Sequence, residues 1–195
     1  MKLPTSFYIR TDVVQISREL LGKALCTNID GRITKVTITE TEAYAGEIDK
    51  ASHAYGGRRT RRTEPLYQTG GRAYVYLCYG IHHLFNVVSN VEGVPHAILI
   101  RAGRSLQGEA EMLRRRAKPV ADKTLLAGPG SLARALGITT ALTGTALIQD
   151  VIWIEDHGFT VNERDISAGP RVGVDYAEED AKLPYRFILN DKNLS

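Results

Sequence analysis

The chain has 195 residues, with 25 basic and 22 acidic side chains for a formal net charge of +3, and it is 43% hydrophobic and 24% charged. This length supports one domain with its own core, and the balance is that of a globular protein rather than a disordered or collagenous chain. No run approaches the roughly 18 consecutive apolar residues of a membrane-spanning helix, and the opening MKLPTSFYIR has no apolar signal segment. A cytoplasmic protein without a membrane partner is expected.

Asp12 with Gln15 three residues later can form a capping box, and Val13, Ile16 and Leu20 recur at helical spacing, which predicts a helix over 12–21. Residues 33–44 alternate and read as a strand. Residues 45–66 do not, and hold Gly46, Gly56, Gly57 and Pro65 among many charges. A loop this long in a compact domain is usually functional or mobile. RAYVYLCY over 72–79, a turn at Gly80 and a return over 84–91 predict a β-hairpin. Another strand is expected over 96–102, a basic helix over 104–117, and a short helix over 130–136 after Gly128-Pro129-Gly130. Short strands are expected over 151–154, 172–174 and 185–189. Many short strands, few helices and no βαβ rhythm point to an antiparallel or mixed sheet. With no linker in view, one domain over 1–195 is expected.

Side chains alternate along a strand, so Val36, Ile38, Glu40, Glu42 and Tyr44 share one side of 33–44. Carboxylates on a core face are costly unless paired or used. They mark the point where the strand leaves the core, an arginine partner for each acid, or a catalytic site with an aromatic wall. The pattern does not choose between Glu40 and Glu42. In YVYLCYG, Tyr76 and Tyr79 lie three apart, so one can line a pocket while the other projects near the hairpin tip. Arg58, Arg59, Arg61 and Arg62 cluster in the long loop, and Arg114, Arg115, Arg116 and Lys118 at the end of the basic helix. Two such clusters at a net charge of +3 mean segregated charge, the footprint of a phosphate-binding face. Gly128 and Gly130 open a helix and can offer backbone N–H groups to a phosphate.

Several chemistries are disfavoured. Cys26 and Cys78 sit in apolar runs without a C-x-x-C, so buried free thiols are expected rather than a zinc site. The five histidines, at 53, 82, 83, 96 and 157, show no helical ligand spacing, and there is no P-loop. No metal and no cofactor are expected.

The segments ETEAY (40–44), SHAYGGRRTRR (52–62), YVYLCYG (74–80), FNVV (85–88), LIRA (99–102), AGPGSLARALGI (127–138) and PRVGVDYA (170–177) resemble, in the same order, the alkyladenine type of 3-methyladenine DNA glycosylase. The resemblance covers nearly the whole chain. It implies an α+β fold, a single domain whose curved antiparallel sheet carries flanking helices and a protruding β-hairpin. It implies metal-free excision of alkylated or deaminated purines from double-stranded DNA. Carried onto this sequence, Glu42 is the catalytic carboxylate, Tyr44 stacks on the extruded base, and His53 closes the other face. Tyr76 is the pocket edge, Asn86 polices the purine N2 position, Arg101 is an active-site arginine, and Tyr79 is the wedge that fills the vacated stack.

The chemistry agrees with that assignment. A base inside a duplex must be extruded, at a cost of a few kcal/mol, and a wedge and aromatic stacking offset part of it. A carboxylate then activates water for attack at C1′, as in an inverting glycosidase. No lysine lies in these motifs, so no Schiff base or strand cutting is expected. A monomer is expected. The rival classes are a non-catalytic nucleic-acid-binding module using the same basic face and tyrosines, and a helix-hairpin-helix glycosylase built around Gly128–Gly130.

Overall fold

The computed structural model describes residues 1–190, so the last five residues of the expected domain lie outside the described residues. Two short helices come first, α1 (Thr5–Tyr8) and α2 (Val13–Glu19). The Asp12 carboxylate accepts from Gln15 N at 2.9 Å, half of a capping box, while the Gln15 amide turns away to Glu19 Oε1 at 2.8 Å. Strands β1 (Ala24–Ile29) and β2 (Arg32–Tyr44) then form a hairpin through Asp30 and Gly31, at φ 54° and 75°. That is the Asp-Gly chemistry of a tight two-residue turn. The expected hairpin is β3 (Arg72–Cys78) and β4 (His82–Ser89), followed by β5 (His96–Gln107). Helices α3 (Glu109–Arg116) and α4 (Pro129–Leu136) and strands β6 (Ile152–Glu155), β7 (Ile166–Gly169) and β8 (Arg186–Leu189) complete the described chain.

Every strand pairing is antiparallel. The curved sheet runs β3-β4-β5-β2-β1-β6, with β8 beside β2 and β7 beside β8. β2 is its spine. One edge pairs with β1 over 32–37 and with β8 over 40–42, and the other pairs with β5. Residues of α2, α3 and α4, among them Ile16, Met112 and Leu132, join Ile38, Phe85 and Ile98 of the sheet in the main core. This is the α+β architecture expected.

Three expectations need correction. The basic helix is shorter than 104–117, because β5 continues to Gln107, opposite Lys35. The chain leaves the sheet at Gly108, at φ 81°, where a Cβ would stand 2.4 Å from Ile33 O. Residues 172–174 are a bend rather than a strand, with Gly173 at φ 73°. Third, the five even-numbered residues of 36–44 do not face one environment. The β2–β5 register shifts between Ile38 and Glu40 and again between Glu40 and Thr41. Val36 and Ile38 point into the main core, but beyond the shift it is Ala43 that does so. Thr41 is fully buried, accepting from Ser17 Oγ at 3.0 Å and donating to Ser17 O at 2.9 Å. Glu40, Glu42 and Tyr44 are thereby turned to the opposite face.

Thr41→Val keeps shape but leaves the buried Ser17 hydroxyl without its partner. An unmet buried polar group costs about 1–3 kcal/mol, so a loss of that size is expected in urea unfolding.

Candidate active site

On the face away from the main core, β2, β3, β4 and β5 wall a cavity of about 320 Å³ with Tyr44, Tyr74, Tyr76, Asn86, Leu99 and Arg101. The long loop contributes His53, and the 171–176 segment contributes Val172 and Tyr176. The loop is tied down: Asp49 accepts from Ala45 N at 2.9 Å and Ala51 N at 3.0 Å, and Ala51 packs with Val174 and Ala177.

Glu42 has no exposed surface and lies one layer beneath the cavity wall. Its Oε1 accepts from Val172 N at 2.8 Å. Its Oε2 accepts from Tyr44 OH at 2.9 Å and lies 3.3 Å from Arg101 Nη1. All three partners line the cavity. A carboxylate offers about four lone-pair sites, so one remains for a further donor. Burial, then the neighbouring Glu42, holds the Tyr44 phenol well above its ordinary pKa, so it stays a donor. Glu40 is not a second copy of this arrangement. It accepts from Arg101 Nε at 2.8 Å and Arg186 Nε at 2.7 Å and does not line the cavity. The two acids left open by the pattern are thus distinguished: Glu40 anchors Arg101, and Arg101 reaches Glu42.

The aromatic wall is interlocked. His53 Nδ1 and Tyr74 OH are 2.9 Å apart, and the His53 ring meets Tyr76 edge-on with centroids at 4.6 Å. The Asn86 amide nitrogen donates to Tyr74 O at 3.1 Å and Leu84 O at 3.4 Å, which fixes the side chain in the wall. Tyr79 stands apart at the tip of the β3–β4 hairpin, at φ 50° and 92% exposed. Beside it, a hollow of about 600 Å³ runs between the hairpin and the start of α4, lined by Tyr79, His82, Gly128 and Gly130. Gly130 permits that approach, since a Cβ there would meet His82 at 3.1 Å.

The basic clusters fare unequally. Arg58 and Arg61 are exposed in the loop, Arg59 pairs with Glu64, and Arg62 lies over the Tyr76 ring at 5.3 Å. At the end of α3, Arg114 and Arg115 are taken up by Glu111, and Lys118 by Asp122. Cys26 is buried as expected, but Cys78 is only half-buried and borders the cavity. Among the described residues, no group of three or more His, Cys, Asp or Glu side chains could hold a metal ion, and no helix is long and apolar enough to cross a membrane. The four short α-helices among the described residues do not supply the frame of a helix-hairpin-helix protein.

The sequence reading missed Val172 N, Tyr74, Tyr176 and the buried Asp49–Arg171 pair. Tyr74 is the first tyrosine of YVYLCYG, and its period of two from Tyr76 puts both on one strand face. The others depend on a contact across more than 120 residues.

Burial, then Arg62 and Arg58, lowers His53 to about 4 from an ordinary 6.5. Between pH 6.5 and about 4 the unfolded chain binds a proton that the folded ring refuses, so stability falls as pH drops through that window. His53→Gln is expected to flatten the fall in melting temperature between pH 6.5 and 4.5 relative to the parent, whose His96 is lowered in the same direction.

A family model described as Methylpurine-DNA glycosylase (MPG) matches residues 6–193. A Chlamydia felis protein is 46% identical over 191 residues, covering 97% of each chain. A Bacillus cereus protein is 44% identical over 195 residues, covering 96% of this chain and 95% of its own. A Clostridium perfringens protein is 42% identical over 199 residues, covering 98% and 97%. All three are provisionally named as 3-methyladenine DNA glycosylases.

Proposed function

The chain belongs to the methylpurine-DNA glycosylase family, and from that premise we propose that it flips alkylated or deaminated purines out of double-stranded DNA and hydrolyses the N-glycosidic bond at Glu42. The observation that carries the reading is the Glu42 carboxylate, held by Val172 N, Tyr44 OH and Arg101 beneath an aromatic-walled cavity. A binding module has no use for a carboxylate fixed in that way. The cavity sits at the lower end of the roughly 300–1,000 Å³ range of ligand pockets, room for one extruded base.

In this reading Tyr44 and His53 hold the base by stacking, worth about 1–3 kcal/mol, and Tyr76 closes its edge. The fixed Asn86 side chain crowds the exocyclic N2 amino group of normal guanine. Because His53 is neutral near pH 7, it does not oppose a purine made cationic by alkylation. Glu42 accepts a proton from water as that water attacks C1′, and cationic charge builds on the sugar beside the carboxylate. Of the three donors on Glu42, Arg101 at 3.3 Å makes the longest contact, so that is where a water can bridge to the carboxylate. Among the described residues no lysine lines the cavity, which supports a monofunctional enzyme that leaves an abasic site in an intact strand. The loop's Arg58, Arg59, Arg61 and Arg62, of which Arg62 lies over the cavity's Tyr76 ring, and the backbone at Gly128 and Gly130 beside the Tyr79 hairpin tip are assigned to contacts with the DNA backbone. The enzyme acts as a monomer.

Release of free base from methylated duplex DNA tests the activity. Glu42→Gln is expected to cut single-turnover excision by roughly 10²–10⁴-fold while lesion binding persists, and Glu40→Gln to cut it less. Borohydride should trap no protein–DNA adduct. Near-normal excision by Glu42→Gln would move the base to another residue.

Tyr79 is proposed to enter the stack at the vacated position. At 92% exposure it supports no core, so Tyr79→Ser should leave the melting temperature unchanged. Stacking of about 1–3 kcal/mol should disappear from the flipping equilibrium, followed by ethenoadenine fluorescence, with a smaller defect opposite a gap. An equal defect on both substrates would count against the wedge.

A further inference from the structure

One buried ion pair lies outside the cavity wall and takes no part in the reaction described so far. The side chains of Arg171 and Asp49 are 0% and 1% exposed. Arg171 Nη2 donates to Asp49 Oδ1 at 2.8 Å, and Nη1 donates to Asp49 Oδ2 at 2.5 Å and to Ala43 O at 2.9 Å. The guanidinium also lies over the Tyr44 ring, 4.8 Å from its centroid. Tyr44 lines the cavity and Arg171 does not. The ring on which a base would stack is therefore backed by a cation from outside the cavity.

A lone cation in that position would repel a positively charged base across the ring. Asp49 cancels it at hydrogen-bond distance. The other charges paired near Tyr44 also balance, the half-buried Glu40 and buried Glu42 against the half-buried Arg101 and Arg186. Arg58 and Arg62 act on His53 from the loop side. Buried ion pairs are weak contributors to stability compared with apolar replacements, and of the two rings the guanidinium lies over, Tyr44 and Tyr185, Tyr44 lines the cavity, so the pair's place points to a different use.

We propose that the Asp49–Arg171 pair is a specificity determinant: it keeps the backing of Tyr44 at zero net charge, so that one seat accepts both purines made cationic by alkylation and purines that remain neutral after deamination. This rests on the reading of Tyr44 as the stacking platform.

The test uses two duplexes whose lesions share a shape and differ in charge, 7-methylguanine (cationic) and 7-methyl-7-deazaguanine (neutral), each on a 2′-fluoro sugar that blocks excision. The readout is the ratio of their dissociation constants. Asp49→Asn leaves a lone cation behind the ring and should lower the preference for the cationic base by roughly 15- to 35-fold, the Coulomb effect of one charge some 8–10 Å away at an effective dielectric constant near 20. Arg171→Met leaves a lone anion and should raise that preference by a similar factor. The double variant should return the parent ratio. A purely structural role would weaken both duplexes together and leave the ratio fixed. An unchanged ratio, or both single variants moving it the same way, overturns the proposal. Since a lone buried charge can prevent folding, circular dichroism accompanies each variant, and the opposite signs make either folded single variant decisive. Tyr44→Leu separates the two readings. If it leaves lesion binding intact, the platform itself is wrong. If it weakens binding while the pair variants leave the ratio fixed, only the charge proposal fails.

Discussion

A strand in continuous register gives every second side chain to the same environment. For β2 that would send Glu40 and Glu42 into the apolar core behind Val36 and Ile38, at a cost no ordinary core repays. The two register shifts around Glu40 remove the conflict. They let one strand serve the core with Val36 and Ile38 at its start and with Ala43 at its end, while the residues between change sides. The Ser17–Thr41 hydrogen bonds hold the far side of the shift against α2. The position of the carboxylates, the burial of Tyr44 and the reach of Arg101 all depend on that local change of register.

Once turned to the cavity face, the acids still need partners, and the fold meets that need with a closed set. Glu40, Glu42 and Asp49 face Arg101, Arg171 and Arg186. Arginine suits this role, because its planar fork donates in several fixed directions and it does not lose its charge. Arg101 spans two carboxylates, and Arg171 spans a carboxylate, two backbone carbonyls and two aromatic rings. Each guanidinium thereby ties several segments together at once.

Much of this was legible in the sequence wherever the signal is local. Alternation located β2, and strand formers around Gly80 located the β3–β4 hairpin with Tyr79 at its tip. Asp12 marked the start of α2. The resemblance selected Glu42, which pattern alone could not separate from Glu40. What stayed hidden depends on pairing. A register shift leaves no mark in a run such as ITKVTITETEAY, because it arises from how β5 lies alongside. Residues 104–107 resembled a helix because their charges suit a solvated helix face, and only the contact with β2 makes them a strand. β1 escaped notice because ALCT is buried throughout and so does not alternate. The Asp49–Arg171 pair spans 122 residues, a separation at which a single sequence carries no signal.

That separation has a consequence for the growing chain. The donor to Glu42 from Val172, the anchor on Glu40 from Arg186 and the strand β8 beside β2 all come from the last part of the described sequence. Chains are made from the N-terminus at about 5–20 residues per second, so the sheet from β1 to β5 emerges several seconds before these groups do. During that interval the acids of β2 have no guanidinium from the C-terminal segment beside them. A ribosome-bound chain that stops short of residue 170 therefore has the outline of the cavity but not its charge balance, because it lacks Arg171, Val172 and Arg186.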